Sequence, residues 1–364
     1  MLQKTASRTG PILAVITLVT TTWAGRDSRA QDLREIREVR LQGAGATLPN
    51  PIYQKWFSEY NKHNPGVFFD YQSIGSGGGV KQITENTIDF GGSDAPVTDE
   101  VLEKAHGRLL HIPTVLGAVV IAYNLPGITK ELRLTPEAIA GILLGKMETW
   151  NDPEIASANP GIDLPRDDIF VVNRSDGCSA TQVLTDYLSK VSIRWKEKVG
   201  TGTSVKWPVG VGAKGNEGVA AQMKQVPNSI CYLDFLWASY NDVSYASIRN
   251  SANEFVRPSY DSITAAAASA EIPDDLRASI TDAPGSSAYP ISSFTYLLVY
   301  QDQSDKEKEK GERLVDLLWW AIHDGQKFAP ELHYAPLPQS VVEKAEQQIN
   351  SISYKGVVLH RDNR

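Results

Sequence analysis

The sequence predicts an α/β protein organised in two domains. Strand-like and helix-like segments alternate along most of the chain, which is typical of α/β proteins with largely parallel sheets. The length of 364 residues allows two domains of ordinary size, each with its own core. With 41% apolar and 22% charged residues, the composition is that of a globular protein.

The strands are predicted from short apolar or β-branched runs that end at glycine, proline or small polar residues. One of these runs, His111–Asn124, is longer than the others and almost wholly apolar, so we expect a buried strand that crosses between the domains. In chain order the predicted strands are Val39–Gln42, Val67–Ile74, Ile88–Phe90, His111–Asn124, Ile169–Asn173, Ser229–Phe235 and Ile291–Tyr300.

The helices are predicted from apolar residues at helical spacing and from capping residues. Thr135 followed by Pro136 marks one helix start, because threonine caps a helix and proline fits its first position. The remaining predicted helices are one with the apolar face Tyr53, Trp56, Phe57 and Tyr60, Val80–Thr87, one from about Asp99, one with Val183, Leu184, Tyr187 and Leu188 on one face, and a surface helix at Ala265–Ala268.

Residues 1–30 have the pattern of a secretion signal. Lys4 and Arg8 precede an apolar run over 11–24 that is short for a membrane span. Cleavage is expected after Ala24 or Ala30, which makes the mature protein exported and soluble. An uncleaved membrane anchor is the alternative.

Charge and composition exclude several classes of function. The chain has 36 Lys+Arg against 43 Asp+Glu, a net charge of −7, whereas nucleic-acid binders usually carry a basic surplus. Two cysteines and six histidines without metal-ligand spacing predict neither a metal nor a cofactor site. GAGATL lacks the third glycine of a dinucleotide-binding loop, and GILLGKM lacks the spacing of a phosphate-binding P-loop.

Three loops of small residues, each between a strand and a helix, form the most informative pattern. They span Gly43–Leu48, Gly75–Gly79 and Gly177–Thr181. Such loops direct unpaired N–H groups and the positive end of a helix dipole at one place, which suits an anion. Arg174 lies just before the third loop, and Asp94 lies in GGSDAP at the end of a predicted strand. Taken singly, each feature is equally typical of a helix cap, a packing glycine or a surface salt bridge.

At these loops the sequence closely resembles the periplasmic phosphate-binding proteins of ABC phosphate transporters, the PstS family. The resemblance extends over nearly the whole mature chain. The segments that carry it are GAGATLPNPIY (43–53), IGSGGGVKQI (74–83), DFGGSDAP (89–96), RSDG (174–177), WKEKVGTGTSVKWPVGVGAKGNEGVAA (195–221) and LPQSVVE (337–343).

The resemblance implies a periplasmic-binding-protein fold of type II, with two hinge-linked α/β domains and the ligand in the cleft between them. The implied domains are discontinuous: residues 31–116 with 293–364 form one, and residues 117–292 form the other.

The resemblance also implies the ligand contacts. Thr47 would donate its hydroxyl and N–H, Leu48 its N–H and Ser76 its hydroxyl. Asp94 would accept a hydrogen bond from the ligand, and Arg174 would pair with both Asp94 and the ligand.

The third loop differs from the family's usual DGSGT. Cys178 stands where the family has a serine, and Ala180 stands at the next side-chain ligand position. The N–H groups of Cys178, Ser179 and Ala180 would remain as donors, or a shift of one residue would let Ser179 supply the hydroxyl.

The function implied is high-affinity binding of inorganic phosphate in the periplasm and its delivery to the membrane subunits of an ABC permease, by a monomer that binds no nucleic acid. Three alternatives remain open at this point: a phosphatase-type enzyme, a binder of another oxyanion, and a secreted phosphate sensor. No activated nucleophile or metal site in the sequence supports the enzyme.

Overall fold

The computed structural model describes residues 38–360. The expected signal segment 1–30 and both cleavage positions lie outside the described residues. The strands are β1 Val39–Gly45, β2 Val67–Ser73, β3 Phe90–Ser93, β4 Leu109–Asn124, β5 Arg133–Leu134, β6 Phe170–Arg174, β7 Val211–Ala213, β8 Ser229–Asp234, β9 Ser247–Arg249, β10 Phe255–Val256, β11 Ser292–Tyr300, β12 Ser353–Tyr354 and β13 Val357–Val358. The helices are α1 Asn50–His63, α2 Ser76–Thr84, α3 Asp99–Leu102, α4 Pro136–Leu143, α5 Pro153–Ala158, α6 Ser179–Val191, α7 Ile193–Lys198, α8 Gly215–Gln225, α9 Phe235–Tyr240, α10 Tyr260–Ser269, α11 Lys308–Ile322 and α12 Gln339–Ile349.

The main sheet has the strand order β2-β1-β3-β11-β4-β8-β6-β7. Its two ends are parallel: β1 pairs with β2 and β3, and β6 pairs with β7 and β8. The central pairs, β3 with β11, β11 with β4 and β4 with β8, are antiparallel. The expectation of largely parallel sheets is therefore confirmed at the two ends of the sheet and wrong at its centre.

Strand β4 runs through both halves of the molecule. Its residues 109–118 pair with β11, and its residues 119–124 pair with β8. Every residue of β4 except Asn124 is buried, as its apolar sequence predicts. Helices α1, α2, α11 and α12 pack around the β1 side and α4, α6 and α8 around the β6 side, so that the chain forms two lobes that share this strand.

Two helices differ from their sequence-based expectations. Helix α2 begins at Ser76 instead of Val80, because the glycines that read as a loop form its first turn. A Cβ on Gly79 would lie 2.5 Å from the carbonyl oxygen of Ala44, so only glycine lets α2 approach β1 this closely. In α10 the expected surface helix is confirmed in part, because Ala268 is exposed whereas Ala266 and Ala267 are buried.

Other local expectations are confirmed. The hydroxyl of Thr135 caps α4 by accepting from the N–H of Ala138 at 3.0 Å. Tyr53, Trp56, Phe57 and Tyr60 form the buried face of α1. No helix within residues 38–360 combines the length and the apolar character that crossing a bilayer requires.

Candidate functional site

In the loop from β1 to α1, two carbonyl groups are held by tyrosines. The Tyr71 hydroxyl donates to the carbonyl oxygen of Ala46 at 2.8 Å, and the Tyr334 hydroxyl donates to that of Leu48. Among the hydrogen bonds of the described chain, none is donated by the N–H of Thr47 or Leu48. Neither group therefore has an acceptor within residues 38–360.

The second loop contributes the N-terminus of α2. Gly75 precedes the helix with a φ of 90°, a left-handed conformation that favours glycine. Ser76 is the first residue of the helix and is buried. N–H groups in the first turn of a helix have no acceptor inside it, so this end of α2 favours a negatively charged ligand.

Asp94 follows the end of β3 and is 3% exposed. Its Oδ2 lies 3.5 Å from the Ser76 hydroxyl. Its Oδ1 is buried and makes no hydrogen bond with any residue of the described chain. Burial, together with the like charge of Asp234, raises the pKa of Asp94 to about 7, although the hydroxyls of Ser179 and Ser76 act to lower it. A buried acceptor of this kind favours a ligand that brings a proton.

Arg174 ends β6 and forms a bidentate ion pair with Asp176. Its Nε lies 2.9 Å from Oδ1 of Asp176, and its Nη2 lies 2.6 Å from Oδ2. The hydrogen bond from Arg174 holds the pKa of Asp176 well below its usual range. The expected pairing of Arg174 with Asp94 is therefore wrong in this structure, because the carboxylate two residues along the same loop takes the matching edge of the guanidinium.

The third loop departs from expectation at Cys178. Its N–H donates to the carbonyl oxygen of Thr203 at 2.8 Å, so this N–H is not free for a ligand. Its Sγ caps α6 by accepting from the N–H of Thr181 at 3.4 Å. Burial raises the pKa of this thiol and keeps it neutral. As the first two residues of α6, Ser179 and Ala180 retain N–H groups without an acceptor inside the helix.

These loops meet across the cleft between the lobes. The Ser179 hydroxyl, on the β6 side, lies near enough to the Asp94 carboxyl on the β1 side to act on its pKa. Burial raises the pKa of Tyr334, which holds the Leu48 carbonyl, and the nearby charges of Asp94 and Asp234 raise it further. The structure thus gathers the sequence-predicted loops around Asp94. A cavity of about 90 Å³, with a mixed polar and apolar lining, continues from Asp94 between β11 and α6.

Five residues at the site were missed by the sequence reasoning: Tyr71, Tyr334, Asp176, Asn216 and Asp234. Asp176 stands two residues from Arg174 in RSDG, and that short spacing could have indicated the ion pair. The other four are contributed by distant parts of the chain, and no local pattern marks them.

The geometry suits an oxyanion. N–H groups from two helix starts and one loop, together with a guanidinium, provide donors from both lobes, while Asp94 provides one acceptor. Such a site binds the negative oxygens with its donors and a protonated oxygen with its carboxylate.

Comparison with known proteins places the chain in a family. Residues 20–316 match the family model of the PBP superfamily domain. The chain is 45% identical to the phosphate-binding protein PstS of Pasteurella multocida over 311 residues, 85% of this chain and 89% of that protein. It is 42% identical to the protein of the same name from Xylella fastidiosa, over 88% of each chain.

The fold agrees with this assignment. The crystal structure of a phosphate-binding protein from Stenotrophomonas maltophilia superposes with a TM-score of 0.62 at 18% identity, covering 85% of this chain and 94% of that one. Together with the identities above, this fold shows that the chain belongs to the PstS family of the PBP superfamily.

Proposed function

We propose that this protein captures inorganic phosphate between its two lobes and delivers it to the membrane subunits of an ABC-type phosphate importer. The observation that carries the proposal is Asp94, a buried carboxylate whose Oδ1 has no partner within residues 38–360. Near neutral pH phosphate retains at least one proton, so it can donate to Asp94 while its other oxygens accept from the surrounding N–H groups. The protein is a binding protein and not an enzyme, as its family membership shows.

The contacts follow from the geometry of the site. The N–H groups of Thr47, Leu48, Ser179 and Ala180, the Ser76 hydroxyl and Arg174 bind the oxygens of phosphate. The Asp94 carboxylate accepts a hydrogen bond from the protonated oxygen of phosphate. Cys178 contributes through its thiol alone.

The lobes, cellular location and assembly state complete the proposal. One lobe comprises residues 31–116 with 293–364, and the other comprises residues 117–292. The protein acts as a monomer in the periplasm after removal of residues 1–30.

Calorimetric titration of the purified protein with phosphate and with sulfate tests the binding part of the proposal. We expect tight binding of one phosphate and weak binding of sulfate, because sulfate has no proton for Asp94. Equal affinity for the two anions, or preference for sulfate, would contradict it. Phosphate uptake by cells with the gene deleted separates a transport receptor from a sensor.

A further inference from the structure

Besides its ion pair with Asp176, the guanidinium of Arg174 makes a hydrogen bond with the side-chain amide of Asn216. Its Nη1 donates to Oδ1 of Asn216 at 3.2 Å, while Asp176 takes the edge formed by Nε and Nη2. A guanidinium has five N–H donors, so these three contacts leave one N–H on each Nη for a ligand. Only 8% of the Arg174 side chain is exposed, and its direction is therefore set by these two neighbours.

Asn216 is itself oriented by Asp234. Its Nδ2 donates to Oδ2 of Asp234 at 2.8 Å. A guanidinium only donates and a carboxylate only accepts, so the amide has one orientation that satisfies both neighbours. With the amide turned over, NH₂ would face Arg174 and the carbonyl would face the Asp234 carboxylate.

We propose that Asp234 is a positioning residue for the anion site, acting through the amide of Asn216 on the guanidinium of Arg174. This inference rests on the proposed function, since phosphate is the anion that Arg174 is to bind. Asp234 ends β8, the strand beside β6, and Asn216 lies in the first turn of α8. The three side chains therefore come from β6, α8 and β8 of one lobe, and Asn216 and Asp234 fix Arg174 before any ligand arrives.

Asp234 contributes two opposite effects to anion binding. As an acceptor it fixes Asn216 and hence Arg174, which favours binding. As a carboxylate it brings a negative charge close enough to Asp94 and Arg174 to affect both, and this charge repels an incoming anion. A variant that keeps the acceptor and removes the charge separates the two effects.

A double-mutant cycle on the full chain, read by phosphate calorimetry, tests the relay. Asp234→Asn keeps an oxygen that can accept from Asn216, so it is expected to bind phosphate at least as tightly as the wild type. Asp234→Ala loses the acceptor and is expected to bind about three- to tenfold more weakly than Asp234→Asn. In the Asn216→Ala background the relay is absent, and the two Asp234 variants should bind phosphate equally.

The proposal would be overturned if the phosphate affinities of Asp234→Asn and Asp234→Ala differed by the same factor in the wild-type and in the Asn216→Ala background. Asp234 would then act without Asn216. Equal binding of the two in the wild-type background would overturn it as well. Glu217→Gln is the control, since it removes a carboxylate from the next residue of α8, whose side chain contacts Trp237 and not Arg174. Absence of phosphate binding by the wild type itself would instead refute the proposed function.

An exchange of the two side chains covers the case in which Asp234→Ala does not fold. Asn216→Asp alone places two carboxylates against each other and is expected to weaken phosphate binding. Adding Asp234→Asn supplies an amide that donates to the new acid, which in turn accepts from Arg174. The phosphate affinity of this double variant should return to within about threefold of the wild type, a difference smaller than the energy of one hydrogen bond. A double variant that binds phosphate as weakly as Asn216→Asp would overturn the relay.

Discussion

Ser76 and Asp94 are joined by two contacts, although they stand on different elements of the lobe. The N–H of Asp94 donates to the Ser76 hydroxyl oxygen at 3.2 Å, and the same oxygen lies 3.5 Å from Oδ2 of Asp94. The start of α2 and the end of β3 are thereby held together. Oδ2 of Asp94 faces the Ser76 hydroxyl, and Oδ1 is left for the ligand.

Asp94→Asn is expected to shift anion preference toward sulfate. The amide can donate to either anion, whereas the carboxylate accepts from the proton of phosphate and repels sulfate. Competition titrations with phosphate and sulfate measure the ratio of affinities. Asp89→Asn is the control, because Asp89 is a buried carboxylate of the same lobe that pairs with Lys310. An unchanged ratio in Asp94→Asn would mean that Asp94 does not contact the anion.

The stability of the phosphate-free protein should fall with rising pH because of Asp94. Its pKa is raised to about 7 from an ordinary value near 3.8, so the folded state binds this proton more tightly than the unfolded state. The free energy of unfolding therefore decreases as pH rises from about 4 to about 7, by about 1.4 kcal/mol for each unit of pKa difference.

Melting temperatures of the wild type and Asp94→Asn at pH 5 and pH 8, without phosphate, check this. The melting temperature of Asp94→Asn relative to that of the wild type should be several degrees higher at pH 8 than at pH 5. A difference that does not change with pH would contradict a raised pKa.

Cys178→Ser should strengthen both the start of α6 and phosphate binding. A serine oxygen is a better N-cap acceptor for the Thr181 N–H than the present sulfur, which lies 3.4 Å away. Its O–H is also a stronger donor than S–H, so we expect up to about tenfold tighter binding, from about 1 kcal/mol of net hydrogen bonding.

Thermal melting and calorimetry on Cys178→Ser measure these two effects. Cys231→Ser is the matched control: Cys231 is buried beside the Met223 sulfur, so its change should lower stability and leave phosphate affinity unaltered. Weaker phosphate binding by Cys178→Ser would contradict the expectation that a hydroxyl serves the site better than the thiol.

Phosphate should make the molecule more compact. The predicted contacts come from β1, α2 and β3 on one lobe and from β6 and α6 on the other, so the ligand binds fully when the lobes close. Small-angle scattering should give a smaller radius of gyration with phosphate than without it, and added sulfate at equal ionic strength serves as the control. Tight binding with an unchanged radius would place the site on one lobe.

The sequence alone predicts seven of the eight strands of the main sheet, because apolar runs, glycines and capping residues act over a few neighbours. It does not predict partners of single side chains. Arg174 could pair with Asp94 or Asp176 on charge alone, and the choice depends on which carboxylate meets the guanidinium edge. Tyr334 lies 286 positions from Leu48, and only the folded chain shows that its hydroxyl holds that carbonyl. The glycines of α2 read as a loop because their low helix propensity is outweighed by packing against β1.

Strand β11 also bears on how the protein acquires its structure during synthesis. It occupies the position between β3 and β4, yet it is made only after residues 125–291, which build most of the other lobe. Until residue 300 has left the ribosome, the position between β3 and β4 in the main sheet is empty, and the edges of these two strands that face it are unpaired. The lobe whose synthesis begins first is therefore completed last. A chain halted before β11 exposes unpaired strand edges that can pair with other chains and cause aggregation.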